Sequence, residues 1–177
     1  EQRRQDLGGG DIAATLELYK SKGIRHIVAL RGDLPSGLAS FGELRYASEL
    51  VQFIRDQTGD WFTIEVACYP EMHPQARSPQ EDVRNFKCKV DAGANSAITQ
   101  YFYNPDAYCR FVDECRAPGL SLPIVPGVMP IGNFSQLARF SDACGAEIPR
   151  WIRLKLEGYR DDAASIRAFG LDVVTEM

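Results

Sequence analysis

The sequence lacks any apolar run that approaches the ~20 residues needed to span a bilayer. Its five cysteines include no Cys-x-x-Cys pair, and only two histidines accompany them. This spacing matches no zinc site, and an odd number of scattered cysteines is typical of reduced thiols. We therefore expect a cytoplasmic protein with no membrane partner and no bound metal.

An excess of charge of one sign is also missing, because 20 basic residues face 24 acidic ones and the net charge is −4. Such a balance gives little attraction for nucleic acid. The 45% hydrophobic and 25% charged content is that of an ordinary globular protein. We predict one domain over 1–177, with residues 1–10 irregular. Because the chain starts at Glu1 and stops at Met177 within helical sequence, we expect it to be part of a longer protein.

Helical and β-rich segments alternate along the chain, which favours a parallel sheet with helical crossovers. That pattern fits a (β/α)8 barrel or an open doubly wound sheet, and both place function at the C-terminal ends of the strands. No Gly-x-Gly-x-x-Gly follows a strand, so a Rossmann site lacks its phosphate loop. Only four strands are evident, whereas a full barrel needs ~250 residues, and an α/β fold with part of a (β/α)8 TIM-type barrel fits both facts. The predicted strands are 24–30, 62–68, 97–102 and 123–126, and the predicted helices begin at Asp11, Tyr46, Ser78, Asn104, Asn133 and Pro149.

The helix that follows the second strand has the clearest start. Ser78 can cap it, Pro79 fits its first position, and Glu81 completes a capping box. Further along, Asp82, Asn85 and Lys89 share one stripe. From the residues alone, this stripe is either a solvated face or a polar strip that binds a hydroxylated or phosphorylated ligand.

Polar, aromatic and Gly/Pro residues follow the predicted strands, and two interpretations of them stay open. They form a ligand site at the strand ends, or they are ordinary polar loops. The segments are 31–33, 69–73, 100–101 and 126–127. Within the strands, Arg25 and Glu65 have the parity expected of an interior ion pair with a structural role.

Four ordered segments resemble signatures of the methylenetetrahydrofolate reductase family. Residues 23–33 (GIRHIVALRGD) and 67–74 (ACYPEMHP) are similar to two of them. Residues 89–100 (KVDAGANSAITQ) and 126–134 (PGVMPIGNF) resemble the next two. Their order and spacing make the resemblance specific over roughly residues 20–160.

The resemblance implies a (β/α)8 barrel that holds FAD without a Rossmann fold. It also implies that NADH or NADPH reduces the flavin, which then passes hydride to 5,10-methylenetetrahydrofolate to give 5-methyltetrahydrofolate. Asp33 would supply a negative charge beside the cationic iminium formed as the methylene bridge opens. A role in one-carbon metabolism and methionine biosynthesis follows from the same resemblance. The choice between NADH and NADPH and the oligomeric state stay open, with a homo-oligomer as one possibility.

By matching positions, the resemblance also assigns binding residues. The cofactor-binding set is Leu30, Arg31, Gly32, Asp33, Tyr46, Tyr69, His73, Ala76, Asp82, Asn85, Cys88 and Lys89. The substrate-binding set is Asp33, Gln100, Gln136 and Phe140.

This sequence departs from the family pattern in one respect that bears on activity. The family's general acid is a glutamate on the first barrel strand, and no residue here matches it. An acid is needed to protonate the leaving folate nitrogen. We therefore expect these 177 residues alone to be inactive. The alternatives are another FAD-barrel oxidoreductase resembling proline dehydrogenase, and a non-catalytic flavin- or folate-binding fragment.

Overall fold

The computed structural model describes residues 9–30 and 44–177, in which four strands are interspersed among seven helices. The strands are β1 (His26–Ala29), β2 (Thr63–Cys68), β3 (Ser96–Tyr101) and β4 (Ile124–Gly127). The helices are α1 (Gly9–Ser21), α2 (Ala47–Thr58), α3 (Pro79–Asp91), α4 (Pro105–Arg116), α5 (Phe134–Cys144), α6 (Arg150–Tyr159) and α7 (Ala163–Thr175).

Three helices start where their capping residues predict. The Ser78 hydroxyl accepts the Glu81 N–H at 3.1 Å, so α3 begins at Pro79. The Glu81 carboxylate accepts the N–H of Arg77 at 2.8 Å, one residue before the partner expected in a capping box. The side chains of Asn104 and Asn133 cap α4 and α5 in the same way.

The structure corrects two helix predictions. Helix α1 begins at Gly9, so two residues of the segment predicted to be irregular are helical, and Asp11 lies in the first turn rather than at the cap. An acidic residue suits both positions, because each lies near the positive end of the helix dipole. The helical material predicted from Pro149 to the end is broken after Tyr159, where Asp162 caps a new helix by accepting two backbone N–H groups.

The sheet is parallel, and its strands are hydrogen-bonded in the order β1-β2-β3-β4. Each strand therefore lies beside the next one in sequence, with a helix in every crossover. A doubly wound sheet reverses its strand order at a switch point, whereas a (β/α)8 barrel does not. The predicted α/β class with part of a TIM-type barrel is confirmed.

Contact between residues divides the chain into two compact units. Unit 1 holds the described residues up to Ala67 together with Asn85–Ala97, and unit 2 comprises Cys68–Arg84 and Ile98–Met177. The division passes through α3, β2 and β3, each of which is continuous along the chain. The prediction of one domain over 1–177 stays a prediction.

Within unit 1, the predicted ion pair between Arg25 and Glu65 is wrong. The strand register pairs Glu65 with Val28, whereas Arg25 lies before the first residue of β1. Its guanidinium lies 3.3 Å from the centre of the Trp61 ring, a cation–π contact. Glu65 instead accepts a hydrogen bond from the Ser96 hydroxyl at 3.2 Å.

Arg55 connects three backbone segments of unit 1. Its guanidinium donates to the carbonyl of Gly93 at 2.7 and 3.0 Å, and to those of Phe62 and Gly59 at 2.9 and 3.0 Å. It also donates to the Asn95 side chain at 2.6 Å. The Arg55 side chain is only 13% exposed. These bonds join the end of α2 to the backbone that leads into β2 and into β3.

Unit 2 has its own hydrophobic core, drawn from the end of β3 and from the helices that follow β4. Its buried members are Tyr101, Tyr103, Ile131, Leu137, Ala146, Ile148, Ile152, Leu156, Ile166 and Val173. At the end of β4, Gly127 donates its N–H to the Thr99 hydroxyl at 2.8 Å. A Cβ at this position would overlap the Thr99 carbonyl oxygen, which explains the glycine there.

Candidate functional site

The predicted site residues that precede α2 are only partly described. Arg31, Gly32 and Asp33 lie outside the described residues. Leu30 directly follows β1, and its side chain is exposed. Tyr46 precedes α2 and donates its backbone N–H to the Glu49 carboxylate at 2.9 Å, while its side chain is exposed.

In the polar strip on α3, the side chain of Lys89 forms a hydrogen bond with the strand that precedes the helix. Its ammonium donates to the carbonyl of Ala67 at 2.6 Å, one residue before the C-terminal end of β2. Lys87, in contrast, forms an ordinary i,i+4 ion pair with Asp91 at 2.6 Å. The Lys89 side chain therefore extends toward the strand end rather than into solvent. Asn85 and Cys88, on the same part of α3, are exposed.

The loop after β2 brings four predicted site residues together in unit 2. The rings of Tyr69 and His73 meet edge to face, with centroids 4.5 Å apart. His73 donates its backbone N–H to the Asp82 carboxylate at 2.8 Å, and its carbonyl accepts the N–H of Ala76 at 2.9 Å. Its Nδ1 accepts the N–H of Gln75 at 3.0 Å, which in a neutral ring leaves the proton on Nε2. Asp82 thus fixes the loop that carries the two rings.

The substrate-binding residues predicted in unit 2 lie at β3 and on α5. The Gln100 side-chain oxygen accepts the N–H of Tyr101 at 3.0 Å. The ring of Phe140 stacks on that of Tyr101, with centroids 5.9 Å apart and planes 16° apart. Gln136 lies one turn before Phe140 on α5, and both side chains are exposed. Tyr101 therefore contacts Gln100 through its backbone N–H and Phe140 through its ring.

Glu71 belongs to the candidate segment 69–73, although its sequence context assigned it no individual role. It helps to line a narrow crevice with Tyr69, Pro70, Met72, Gln100, Tyr101, Cys144, Gly145 and Ala146. Its carboxylate accepts the N–H of Glu147 at 2.8 Å, which ties the loop after β2 to the segment after α5. Burial raises the pKa of Glu71, as does the negative charge of Glu147, while the Glu147 N–H and Arg110 act in the opposite direction. The available signal was its position between Pro70 and His73 in the loop.

The raised pKa of Glu71 predicts a pH-dependent effect of Glu71→Gln. A carboxyl with a raised pKa stabilises the folded state fully below its ordinary pKa of 4.5, and this contribution is lost as pH rises through the folded-state pKa. Glutamine does not ionise. The variant should therefore gain stability relative to wild type as the pH rises from below 4.5 to neutrality. Urea unfolding across this range measures the difference, with Glu157→Gln on α6 as the exposed control. If the stability of Glu71→Gln and that of wild type change in parallel with pH, the predicted effect of the raised pKa is contradicted.

The described residues contain neither a cluster of metal ligands nor a membrane-spanning helix. Within residues 9–30 and 44–177, no group of three or more His, Cys, Asp or Glu side chains is arranged to hold a metal ion. Over the same residues, no helix combines the length and apolar character required to cross a membrane.

Comparison with known proteins gives consistent matches over most of the chain. The family model described as methylenetetrahydrofolate reductase matches residues 6–177. The chain is 45% identical over 159 residues to 5,10-methylenetetrahydrofolate reductase of Escherichia coli. This match covers 90% of the chain and 52% of the Escherichia coli protein. The chain is 41% identical over 179 residues to methylenetetrahydrofolate reductase (NADH) 1 of Arabidopsis thaliana, covering 94% of this chain and 30% of that protein.

A solved structure supports the fold alone. It is an uncharacterized protein from Clostridium thermocellum described as binding two copies of 5-methyl-5,6,7,8-tetrahydrofolic acid. It matches with a TM-score of 0.60 and 19% identity, covering 96% of this chain and 56% of that chain. The chain spans about half the length of the bacterial relative it matches.

Proposed function

The chain belongs to the methylenetetrahydrofolate reductase family, and from that premise we propose that the gene product carrying it reduces 5,10-methylenetetrahydrofolate to 5-methyltetrahydrofolate. The observation that carries this proposal is the family match over residues 6–177. NADH or NADPH is the proposed reductant, and FAD the proposed cofactor. The setting we propose is cytoplasmic methionine biosynthesis. A proline dehydrogenase-like activity would leave the family match unexplained.

The donor set around Lys89 fits the chemistry of FAD. A dinucleotide carries a negatively charged diphosphate and the hydroxyl groups of a ribityl chain. Lys89 offers a cation for the diphosphate, and Asn85 offers a neutral amide one turn earlier on α3. When bound, FAD supplies the hydride chemistry of the reaction. We propose that the remaining residues assigned by the resemblance, including Tyr69, His73 and Asp82, also contact this cofactor.

The substrate would use the residues near Tyr101. Phe140 is 49% exposed, and aromatic side chains of this kind stack against planar ligands. The Gln100 amide nitrogen is a donor for a polar edge of the folate ring system. We propose that these side chains, with Gln136, hold the folate or the nicotinamide.

Lys89→Met is expected to weaken FAD binding about tenfold to a hundredfold, since a hydrogen bond to a charged group contributes about 1.5–3 kcal/mol. Fluorescence titration of the apoprotein with FAD measures the dissociation constant. Lys87→Met is the matched control, because this lysine lies on the same helix but pairs with Asp91. Lys89→Arg keeps the charge and should recover part of the affinity. Equal FAD affinities for Lys89→Met and Lys87→Met would contradict the proposed role.

The reaction itself is tested by product analysis. The gene product that carries this chain, supplied with FAD, NADH and methylenetetrahydrofolate, should form 5-methyltetrahydrofolate. A protein that binds flavin and folate but forms no product would support the non-catalytic alternative.

A further inference from the structure

A buried polar contact joins the end of β3 to the middle of α5. The Tyr101 hydroxyl and the Ser141 hydroxyl are 2.8 Å apart, and the two residues are 5% and 4% exposed. The Cys144 thiol, a weak donor, approaches the same tyrosine oxygen at 3.6 Å. Burial raises the pKa of Tyr101, so its hydroxyl keeps its proton at neutral pH. Ser141 is therefore the principal partner of this hydroxyl.

The same tyrosine supports the ring of Phe140. Phe140 directly precedes Ser141 on α5, and its ring stacks on Tyr101 with a centroid distance of 5.9 Å. About half of the Phe140 side chain stays exposed. The hydrogen bond between Ser141 and Tyr101 thus fixes the tyrosine ring, and the ring of Phe140 stacks on that tyrosine. Tyr103, 5.6 Å away, is held separately by a bond to the carbonyl of Met129.

We propose that Tyr101 and Ser141 are positioning residues that hold Phe140 as a preorganised stacking surface for a planar aromatic ring of the folate substrate. The proposal rests on the function proposed above. Neither residue touches the substrate: the hydroxyl contact fixes the angle of the Tyr101 ring, and that ring fixes Phe140. A binding surface that is held in place before the ligand arrives binds more tightly, because less side-chain freedom is lost on binding.

Removing one partner or both should have unequal effects. Ser141→Ala leaves the buried tyrosine hydroxyl with only the thiol of Cys144, and an unsatisfied buried donor is costly. The tyrosine ring must then shift to find a partner, which moves Phe140. Tyr101→Phe keeps the ring, and the serine it leaves behind can bond to the backbone of its own helix. Ser141→Ala should therefore be the more harmful of the two, and the double variant should resemble Tyr101→Phe.

The test compares these variants in the gene product that carries the chain. Ser141→Ala should raise KM for methylenetetrahydrofolate about fivefold, with a smaller change in kcat. Tyr101→Phe should raise KM about twofold, and the double variant should return to that smaller value. The dissociation constant of 5-methyltetrahydrofolate, measured by calorimetry, should follow the same order. Ser135→Ala is the control, because this serine is exposed on the same helix.

Each outcome decides the proposal. Unchanged KM and affinity in both single variants would overturn it, as would an effect on KM for NADH without one for folate. If Ser141→Ala does not fold, Tyr101→Phe still decides through its KM. If the wild type turns over methylenetetrahydrofolate and the variants have the same KM, only the positioning role of Tyr101 and Ser141 is overturned. A wild type that neither binds nor turns over folate overturns the proposed function as well.

Discussion

Replacing Arg55 with methionine is expected to lower the free energy of unfolding by about 3 kcal/mol, a large part of the stability of an ordinary domain. The guanidinium is nearly buried and donates to the carbonyls of Gly59, Phe62 and Gly93. Methionine fills much of the same volume but leaves these acceptors without their charged donor. The loss of stability is greatest at the carbonyls that water cannot reach, because no other donor replaces the guanidinium there.

Urea unfolding of Arg55→Met against wild type measures this loss. Arg153→Met provides the matched control, because Arg153 is exposed on α6, and its change should stay within about 0.5 kcal/mol. Arg55→Lys should fall between the two, since an ammonium keeps the charge but does not match the planar fork of donors. An Arg55→Met variant as stable as Arg153→Met would show that the backbone segments do not depend on this side chain.

Asp33→Asn is expected to slow the folate half of the reaction about 100-fold, by analogy with the loss of one charge-stabilising group in other active sites. Opening the methylene bridge produces a cationic iminium, and a nearby carboxylate stabilises it more than the unopened substrate. Asparagine keeps the shape of the side chain but removes the charge. Asp33 lies outside the described residues, so this expectation rests on the family resemblance and on the chemistry of the iminium.

Rapid-mixing kinetics separate the two halves of the reaction. The rate with methylenetetrahydrofolate should fall strongly in Asp33→Asn, whereas the rate with NADH should change much less. Asp161→Asn is a suitable control, because Asp161 is exposed in the turn after α6. If both half-reactions slow equally, the carboxylate acts on flavin binding or folding rather than on the iminium.

Local sequence signals were sufficient for the order of the fold. The caps at Ser78, Asn104 and Asn133 act within four residues of the helix start, so they are readable without tertiary structure. The alternation of strands and helices likewise predicted the parallel sheet, although two winding patterns remained. The strand order separated them, because neighbouring strands are also consecutive in the sequence.

Features that depend on distant residues were not predictable in the same way. Arg55 meets Gly93 across 38 residues, and Tyr101 meets Ser141 across 40. Nothing in the periodicity of either segment specifies its partner. The wrong pairing of Arg25 with Glu65 has the same origin, since side-chain parity gives the face of a strand but not its register. The cap at Asp162 was missed because it lies inside an otherwise helical stretch.

The candidate site was likewise predictable only in part from the sequence. The resemblance assigned its residues, but from sequence alone a solvated face was the simpler interpretation of the stripe on α3. The contact of Lys89 with Ala67 distinguishes this lysine from Lys87, two residues away on the same helix. Glu71 lies in the candidate segment 69–73, but its bond to Glu147 spans 76 residues and could not be read from the sequence. Residue type therefore identified candidates, and the tertiary contacts showed how their side chains are held.

The central claim is tested most directly by the visible absorbance spectrum of the gene product that carries this chain, recorded without oxygen. We expect a flavin band that NADH or NADPH bleaches and that methylenetetrahydrofolate restores, with 5-methyltetrahydrofolate as the product. A flavin band that bleaches but does not return with the folate would contradict the proposed reaction. The absence of a flavin band would contradict the proposed cofactor.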